Sequence, residues 1–380
     1  MITDTHKTAT RPLFEEVAVN RTDTPLFVNK TKFIETIRQF KEHDSLSRLR
    51  AEVLDLESNL HGVRTDKIGV LNIHSNGDTI KIIQKHLLDQ LDQIADSQTL
   101  ERAKYYTERL EKALTEIRTN NINDINLTRW KEYEDIWTDS LWMIEKRDST
   151  GVHTAGYWGN FIPQIPNQML KRYTKKGEWV LDPFVGCGTT LIESQRLGRN
   201  GIGIELQENV AQKARELIGS EPNKHNVVVD VVTGDSTELD YSQILKRVGQ
   251  KFVQMVIMHP PYFDIIKFSK NPRDLSNAPS IDSFLDKVNM VVEGASKVLD
   301  KGRYLALVIG DKYSKGEWIP LGFLTMQEVL KKGFMLRSII VKNFEETTAK
   351  RNQKELWRYR ALVGGFYIFK HEYIFLFKKR

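Results

Sequence analysis

Between residues 32 and 120 the apolar positions recur at helical spacing, in four groups. Phe33, Ile34, Ile37 and Phe40 make the first, and Leu46, Leu49, Val53, Leu54, Leu56 and Leu60 the second. Ile80, Ile82, Ile83, Leu87, Leu88, Leu91 and Ile94 make the third, and Leu100, Tyr105, Leu110, Leu114 and Ile117 the fourth. Charged residues fill the other faces, so the pattern predicts about four amphipathic helices, with the turn Asn76-Gly77-Asp78 ahead of the third. Residues 1–28 show no period and carry only two short apolar pieces, Pro12–Phe14 and Pro25–Val28, which reads as an extended N-terminal arm. The Asn-rich run Thr119–Asp124 is the best boundary and gives a helical domain over 29–125.

From 126 to 380 the pattern changes. Residues 129–170 form an aromatic, loop-rich segment with Trp130, Tyr133, Trp137, Trp142, Tyr157 and Trp158, a density that buried core commonly explains. Short apolar runs then predict strands ending at Asp182 and Glu205, and over 226–232, 254–259, 304–310, 335–342 and 366–377. Helices are predicted after Gly188 and over 207–218, 281–299 and 320–332. Alternating strands and helices mean a mainly parallel sheet covered on both faces, an α/β doubly wound fold of seven strands occupying 126–380. No helix is predicted between the last two strands, so one of them must run antiparallel beside the other.

The stretch Glu178–Glu205 organises the rest. A buried strand ends at Asp182, a tight turn carries Phe184, Gly186 and Gly188, a helix capped by Thr189 or Thr190 follows, and a second strand closes on Glu205. The glycines let the backbone turn sharply and approach a ligand, while the helix aims its free N–H groups into the same space. A dinucleotide fingerprint would want a third glycine where Ile192 stands, which disfavours a pyrophosphate ligand and with it a dehydrogenase. A cofactor with a compact zwitterionic tail fits better, the loop and Asp182 holding the tail and Glu205 accepting from two ribose hydroxyls. Asp235, in Gly234-Asp235-Ser236 after the third strand, emerges at the same sheet edge. There it either accepts from an adenine amino group or caps a helix.

The nine residues Asp182-Pro183-Phe184-Val185-Gly186-Cys187-Gly188-Thr189-Thr190 resemble the glycine-loop motif of the S-adenosylmethionine-dependent amino-methyltransferases of nucleic acids, the N6-adenine and N4-cytosine DNA methylases. A second string, His259-Pro260-Pro261-Tyr262, resembles that family's catalytic motif, in which Asp, Asn or Ser precedes Pro-Pro-Tyr. The resemblance covers 150–380 and implies the methyltransferase (Rossmann-like) variant of the doubly wound fold, S-adenosylmethionine as cofactor and double-stranded DNA as partner. It also implies that Asn160, Phe161 and Pro163, ahead of the glycine loop, close over the methionine end of the cofactor.

An exocyclic amino group of a base is a poor nucleophile, because its lone pair is delocalised into the ring. Two acceptors, the side chain at 259 and the carbonyl of Pro260, would hold its N–H groups and favour a pyramidal nitrogen, with Pro261 stiffening the turn. Tyr262 would stack on the flipped base. Histidine at 259 departs from the family pattern, yet a neutral imidazole keeps one acceptor nitrogen. That predicts activity falling as His259 protonates below roughly pH 6.5. Adenine N6 is the expected target and cytosine N4 the alternative, followed by guanine N2 of RNA or a catalytically silent nucleic-acid-binding subunit.

Charge refines this picture. The formal net charge is +6, and residues 312–380 hold fifteen Lys or Arg against six Asp or Glu, so the C-terminal fifth more than accounts for the excess. A basic segment interleaved with Trp357, Tyr359, Phe366 and Tyr367 suits phosphate tracking or is a solvated rim. Lys267, Lys270 and Arg273, beside the Pro-Pro-Tyr string, and Lys350, Arg351, Lys354, Arg358 and Arg360 are the candidate nucleic-acid contacts. The single cysteine, Cys187, has no adjacent base and reads as packing. No metal site, membrane segment or signal peptide is expected, which implies a cytoplasmic, nucleoid-associated protein. The helical domain is expected to serve DNA recognition, dimerisation or plain support, and a homodimer or a specificity or restriction partner is compatible with the chain.

Overall fold

A computed structural model describes residues 24–61, 69–73, 78–153, 162–343 and 354–380. It divides into two compact units, the first taking in the described residues up to Arg118 with Asn126–Glu134, the second Thr119–Ile125 with Asp135–Arg380. The Asn-rich run at 119–124 therefore belongs with the second unit.

The first unit contains β1 (Pro25–Asn29), α1 (Lys30–Glu42), α2 (Leu46–Leu60), β2 (Thr79–Ile83), α3 (Gln84–Ala95) and α4 (Leu100–Thr115). Its core joins Phe33, Ile37 and Phe40 of α1 to Leu49, Val53 and Leu56 of α2 and to Leu87, Leu88, Leu91 and Ile94 of α3. Each such side chain is worth about 1.5–3 kcal/mol when fully buried. Two expectations are corrected here. Pro25–Val28, expected in an extended N-terminal arm outside the helical domain, is a strand of that unit, paired antiparallel with β2, Val28 opposite Ile80. Ile80, Ile82 and Ile83 belong to that partner strand and not to a helix, because the run Thr79-Ile-Lys-Ile-Ile83 is β-branched and stiff at χ1.

The second unit carries β3 (Leu141–Trp142), α5 (Gln164–Tyr173), β4 (Trp179–Asp182), α6 (Thr189–Leu197), β5 (Asn200–Glu205), α7 (Glu208–Ser220), β6 (Val229–Thr233) and α8 (Tyr241–Arg247). There follow β7 (Val253–Met258), α9 (Ile281–Val298), β8 (Leu299–Ile309), β9 (Lys312–Ser314), β10 (Glu317–Ile319), α10 (Leu321–Lys331), β11 (Phe334–Asn343), the helix Lys354–Gly364 and β12 (His371–Lys379). The main sheet has the order β3-β11-β12-β8-β7-β4-β5-β6. It has eight strands where seven were expected, the addition being the two-residue β3 paired parallel to β11 through Val341 and Leu141. Strands β8, β7, β4, β5 and β6 are parallel, and β12 runs antiparallel between β8 and β11.

Burial on both faces explains the apolar runs of the central strands. Leu181, Val256, Met258, Leu305 and Leu307 face a core with Phe284, Val288 and Val291 of α9, while Val180, Met255, Ile257 and Ala306 face one with Ile165, Met169 and Leu170 of α5. Helix α5 hides in sequence because Pro166 sits in it. Placed in the first turn, where backbone N–H groups have no intrahelical partner, that proline is tolerated. The helix Lys354–Gly364 between β11 and β12 also replaces an expected loop, although the antiparallel pairing of those two strands was expected. A bulge at Leu336/Ser338 shifts the β11–β12 register, after which Lys342 lies opposite Glu372.

Candidate active site

The parallel strands bring their carboxyl ends to one edge. In spatial order β7, β4, β5 and β6 end at or just before His259, Asp182, Glu205 and Asp235. The chain order reverses at β4, which has β5 on one side and β7 on the other. Open α/β sheets bind ligands in the crevice outside such a switch point.

The glycine loop is built around Asp182. This wholly buried carboxylate accepts the Phe184 N–H on Oδ1 at 2.9 Å and the Thr190 hydroxyl on Oδ2 at 2.5 Å. Burial, aided by neighbouring Glu205 and opposed by those two hydrogen bonds, pushes its carboxyl up to about 7. Both oxygens thus serve the loop itself. The cap of α6 is Gly188, not Thr189 or Thr190, and at φ 87° it adopts a backbone that L side chains rarely take. The close approach between strand and loop that a third helical glycine would allow is supplied from β5 instead. A Cβ on Gly203 would lie 2.6 Å from Val185 Cγ2. Thr189 is buried in the first turn, and Pro183 holds the turn by accepting the Ser236 hydroxyl on its carbonyl at 2.5 Å.

Glu205 closes β5. Its Oε1 accepts the Gln207 N–H at 3.0 Å, and burial pushes its carboxyl up against the hydrogen bonds from Gln207 and from the Gly186 and Leu206 backbone. The charges acting on these two acids are themselves carboxylates, Glu205 on Asp182 and Asp274 on Glu205. A desolvated acidic edge beside the N-terminus of α6 suits a ligand carrying both positive charge and a carboxylate, which is the chemistry of S-adenosylmethionine. Asp235 is buried and accepts the Thr237 N–H at 2.8 Å and hydroxyl at 2.7 Å on Oδ1, while its carbonyl accepts from Glu238 and Leu239 N–H, so it caps the turn after β6. Pro163 is buried at the N-cap of α5, and Asn160 and Phe161 lie outside the described residues.

The string 259–262 leaves β7 as irregular backbone whose two prolines fix φ, with Pro260 buried. The next residue, Phe263, is held at φ 51°, a strained conformation for a bulky side chain, while its ring packs against Phe284. His259 Nε2 lies 3.0 Å from the Tyr262 hydroxyl, which donates to Glu372 Oε2 at 2.7 Å; Glu372 Oε1 pairs with Lys342 Nζ at 3.1 Å. Burial, countered by Glu372 and assisted by Lys342, pushes His259 down to about 4. Burial and then Glu372 push the Tyr262 phenol well up. Sequence reasoning missed Glu372 and Lys342. A lone buried-strand acid was the available signal, and its partner is visible only once β11 and β12 pair.

The following loop is anchored. Asp274 Oδ1 accepts the Ser276 N–H at 2.9 Å and hydroxyl at 2.7 Å, and Oδ2 accepts the Ser269 hydroxyl at 2.7 Å. Lys267, Lys270 and Arg273 project from it exposed, Arg273 lying 3.8 Å from Glu238. Arg358 and Arg360 are exposed on the helix Lys354–Gly364, Arg360 over the Trp357 ring at 5.3 Å. Lys350 and Arg351 lie outside the described residues, and Lys354 opens that helix. Burial pushes the Cys187 thiol up, the opposite of what activates a nucleophile. Among the described residues no helix is long and apolar enough to cross a membrane, and no group of three or more His, Cys, Asp or Glu could hold a metal ion.

Comparison with known proteins bears on this geometry. The chain is 26% identical over 132 residues to the Type II methyltransferase M.MjaII of Methanocaldococcus jannaschii, a match covering 30% of this chain and 24% of that protein. It is 36% identical over 96 residues to the Type II methyltransferase M2.DpnII of Streptococcus pneumoniae, covering 24% of this chain and 32% of that one. The matched segments thus span only 24% and 32% of the length of these relatives. Among solved structures, TrmN from Thermus thermophilus superposes with a TM-score of 0.38 at 18% identity, covering 58% of this chain and 49% of that one. Residues 16–216, more than half of the chain, match the DNA methylase family as a whole, and the chain accordingly belongs to that family, whose methyl donor is S-adenosylmethionine.

Proposed function

We propose that the chain is a site-specific DNA methyltransferase, moving a methyl group from S-adenosylmethionine to the exocyclic amino group of a flipped base, adenine N6 before cytosine N4. The supporting observation is the single sheet edge from which the glycine loop, Glu205, Asp235 and His259-Pro-Pro-Tyr all project. Glu205 and Asp235 would hold the ribose and adenine of the donor, and the loop backbone its amino-acid carboxylate. The bound donor supplies an electrophilic sulfonium methyl. The carbonyl of Pro260 and the imidazole of His259 would accept the two amino N–H groups of the base and orient its lone pair. A neutral His259 is required for this, and its burial keeps it neutral at physiological pH. Lys267, Lys270, Arg358 and Arg360 are exposed cations suited to phosphates.

The test is transfer of labelled methyl to unmethylated genomic DNA by the purified chain, followed by nucleoside mass analysis and repeated with His259→Ala. Methyladenine or methylcytosine that disappears in the variant supports the reading and names the base. Transfer to RNA alone, or donor binding with no transfer to either nucleic acid, overturns it.

A further inference from the structure

The hydroxyl of Tyr262 has one hydrogen and two possible uses for it. It lies between Glu372 Oε2 at 2.7 Å and His259 Nε2 at 3.0 Å. Glu372 is in turn paired with Lys342 at 3.1 Å, and both side chains are largely buried, at 6% and 9% exposure. With an ammonium on Oε1 and a hydroxyl on Oε2, the Glu372 side chain acts as an acceptor on both oxygens. The Tyr262 hydrogen therefore goes to Glu372, and the phenol oxygen is left to accept from the imidazole. A neutral imidazole has one N–H, so that N–H is Nε2–H and the lone pair falls on Nδ1.

We infer that Glu372, with Lys342 behind it, is a positioning residue that acts through Tyr262 to hold His259 in the Nε2–H tautomer with Nδ1 as its acceptor. The inference rests on the proposed role of His259 and deepens it. An aspartate or asparagine ahead of Pro-Pro-Tyr has an oxygen acceptor whatever surrounds it. A histidine there has one only on the nitrogen that its surroundings leave unprotonated, so the substitution is workable where a second group sets the tautomer. The geometry also has a built space. A Cβ on Gly310 would come within 3.0 Å of Tyr262 Cε2 and 3.9 Å of Glu372 Cβ, so glycine there lets the ring lie against β8 and reach the carboxylate. Among the described residues, groups facing His259 include Tyr262 from the same segment, Glu372 from β12 and Lys342 from β11.

The experiment is two-bond proton–nitrogen correlation NMR on the full, 15N-labelled chain, with the His259 signals assigned from a His259→Asn variant. Wild type is expected to carry hydrogen on Nε2. In Glu372→Leu combined with Lys342→Met, which removes both charges together, the Tyr262 hydroxyl turns to donate to the ring and the hydrogen moves to Nδ1. Tyr262→Phe, which keeps the ring and the packing, releases the preference and populates both tautomers. Methyl transfer by the charge-removed variant should fall about 10- to 100-fold in kcat, the size typical of outer-shell partners, with KM for S-adenosylmethionine unchanged. Hydrogen on Nδ1 in wild type, or the same tautomer in wild type and both variants, overturns the inference. The expected tautomer pattern in a protein that transfers methyl to no nucleic acid would uphold the positioning role and sink the methyltransferase reading instead.

Discussion

Thr190 donates its hydroxyl to Asp182 Oδ2 at 2.5 Å and so ties the last residue of β4 to the first turn of α6 across the glycine loop. Thr190→Val keeps the shape and removes the donor, leaving a buried carboxyl oxygen of Asp182 unpaired. The expected loss is about 1–3 kcal/mol in urea unfolding, with weaker S-adenosylmethionine binding by calorimetry. A variant as stable as wild type would show that the loop does not depend on this bond.

Asp182 also gives the fold a pH signature. Its folded value, about 7, lies above the ordinary 3.8, so the stability linked to it is complete below 3.8 and is lost as pH rises through 7. Asp182→Asn removes that dependence. Between pH 4 and pH 7 the wild type should lose stability relative to the variant, by an amount on the order of a few kcal/mol. Parallel stability curves would count against a neutral Asp182.

For His259 the sign is opposite. Its value falls from 6.5 to about 4, through burial first, so the neutral ring persists well below pH 6.5. The activity loss expected from an ordinary histidine moves down toward pH 4. Methyl transfer at pH 5.5 should therefore retain the His259-dependent rate seen at pH 7.5, and a midpoint near 6.5 that vanishes in His259→Asn would refute the burial argument.

Gly203→Ala places a methyl 2.6 Å from Val185 Cγ2 and 2.7 Å from its Cβ, too near the backbone for a rotamer change to relieve. Overpacking of this kind costs about 1–3 kcal/mol. Thermal unfolding reads it, and the glycine loop, which Val185 belongs to, should bind the methyl donor more weakly.

Lys267 and Lys270 are exposed on the anchored loop beside the Pro-Pro-Tyr turn. If they meet phosphates, replacing both with alanine should lower the slope of log affinity against log salt by roughly two, evenly across DNA sequences. An unchanged slope would remove them from the interface.

The sheet edge was legible because parallel strands buried on both faces write themselves as apolar runs, and the residue ending each run is polar: Asp182, Glu205, His259. What stayed hidden depends on pairing between distant segments. Ile80, Ile82 and Ile83 fit a helical spacing until Pro25–Val28 is seen to lie beside them. Pro166 looks like a breaker until its place in a first turn is known. Asp182 reads as a ligand-facing acid, yet its burial and its two internal hydrogen bonds are three-dimensional facts. Likewise the ordinary titration range of histidine says nothing of a ring enclosed by Tyr262 and Glu372.

The bulge in β11 has a consequence at the active site. Ahead of it Leu336 faces Phe377, and beyond it Ser338 faces Leu376, so Arg337 is passed over without a partner. Were Arg337 paired in regular register with Leu376 and the strand start kept, the count along β12 would advance by one and Val341, not Lys342, would oppose Glu372. Successive residues in a strand point to opposite faces, so the ammonium would leave the carboxylate as well. Accommodating that one residue as a bulge thus phases the sheet so that a cation stands behind the acid proposed to orient the imidazole, and the pairing at Glu372 depends on a feature of β11 that touches neither the glycine loop nor the Pro-Pro-Tyr segment.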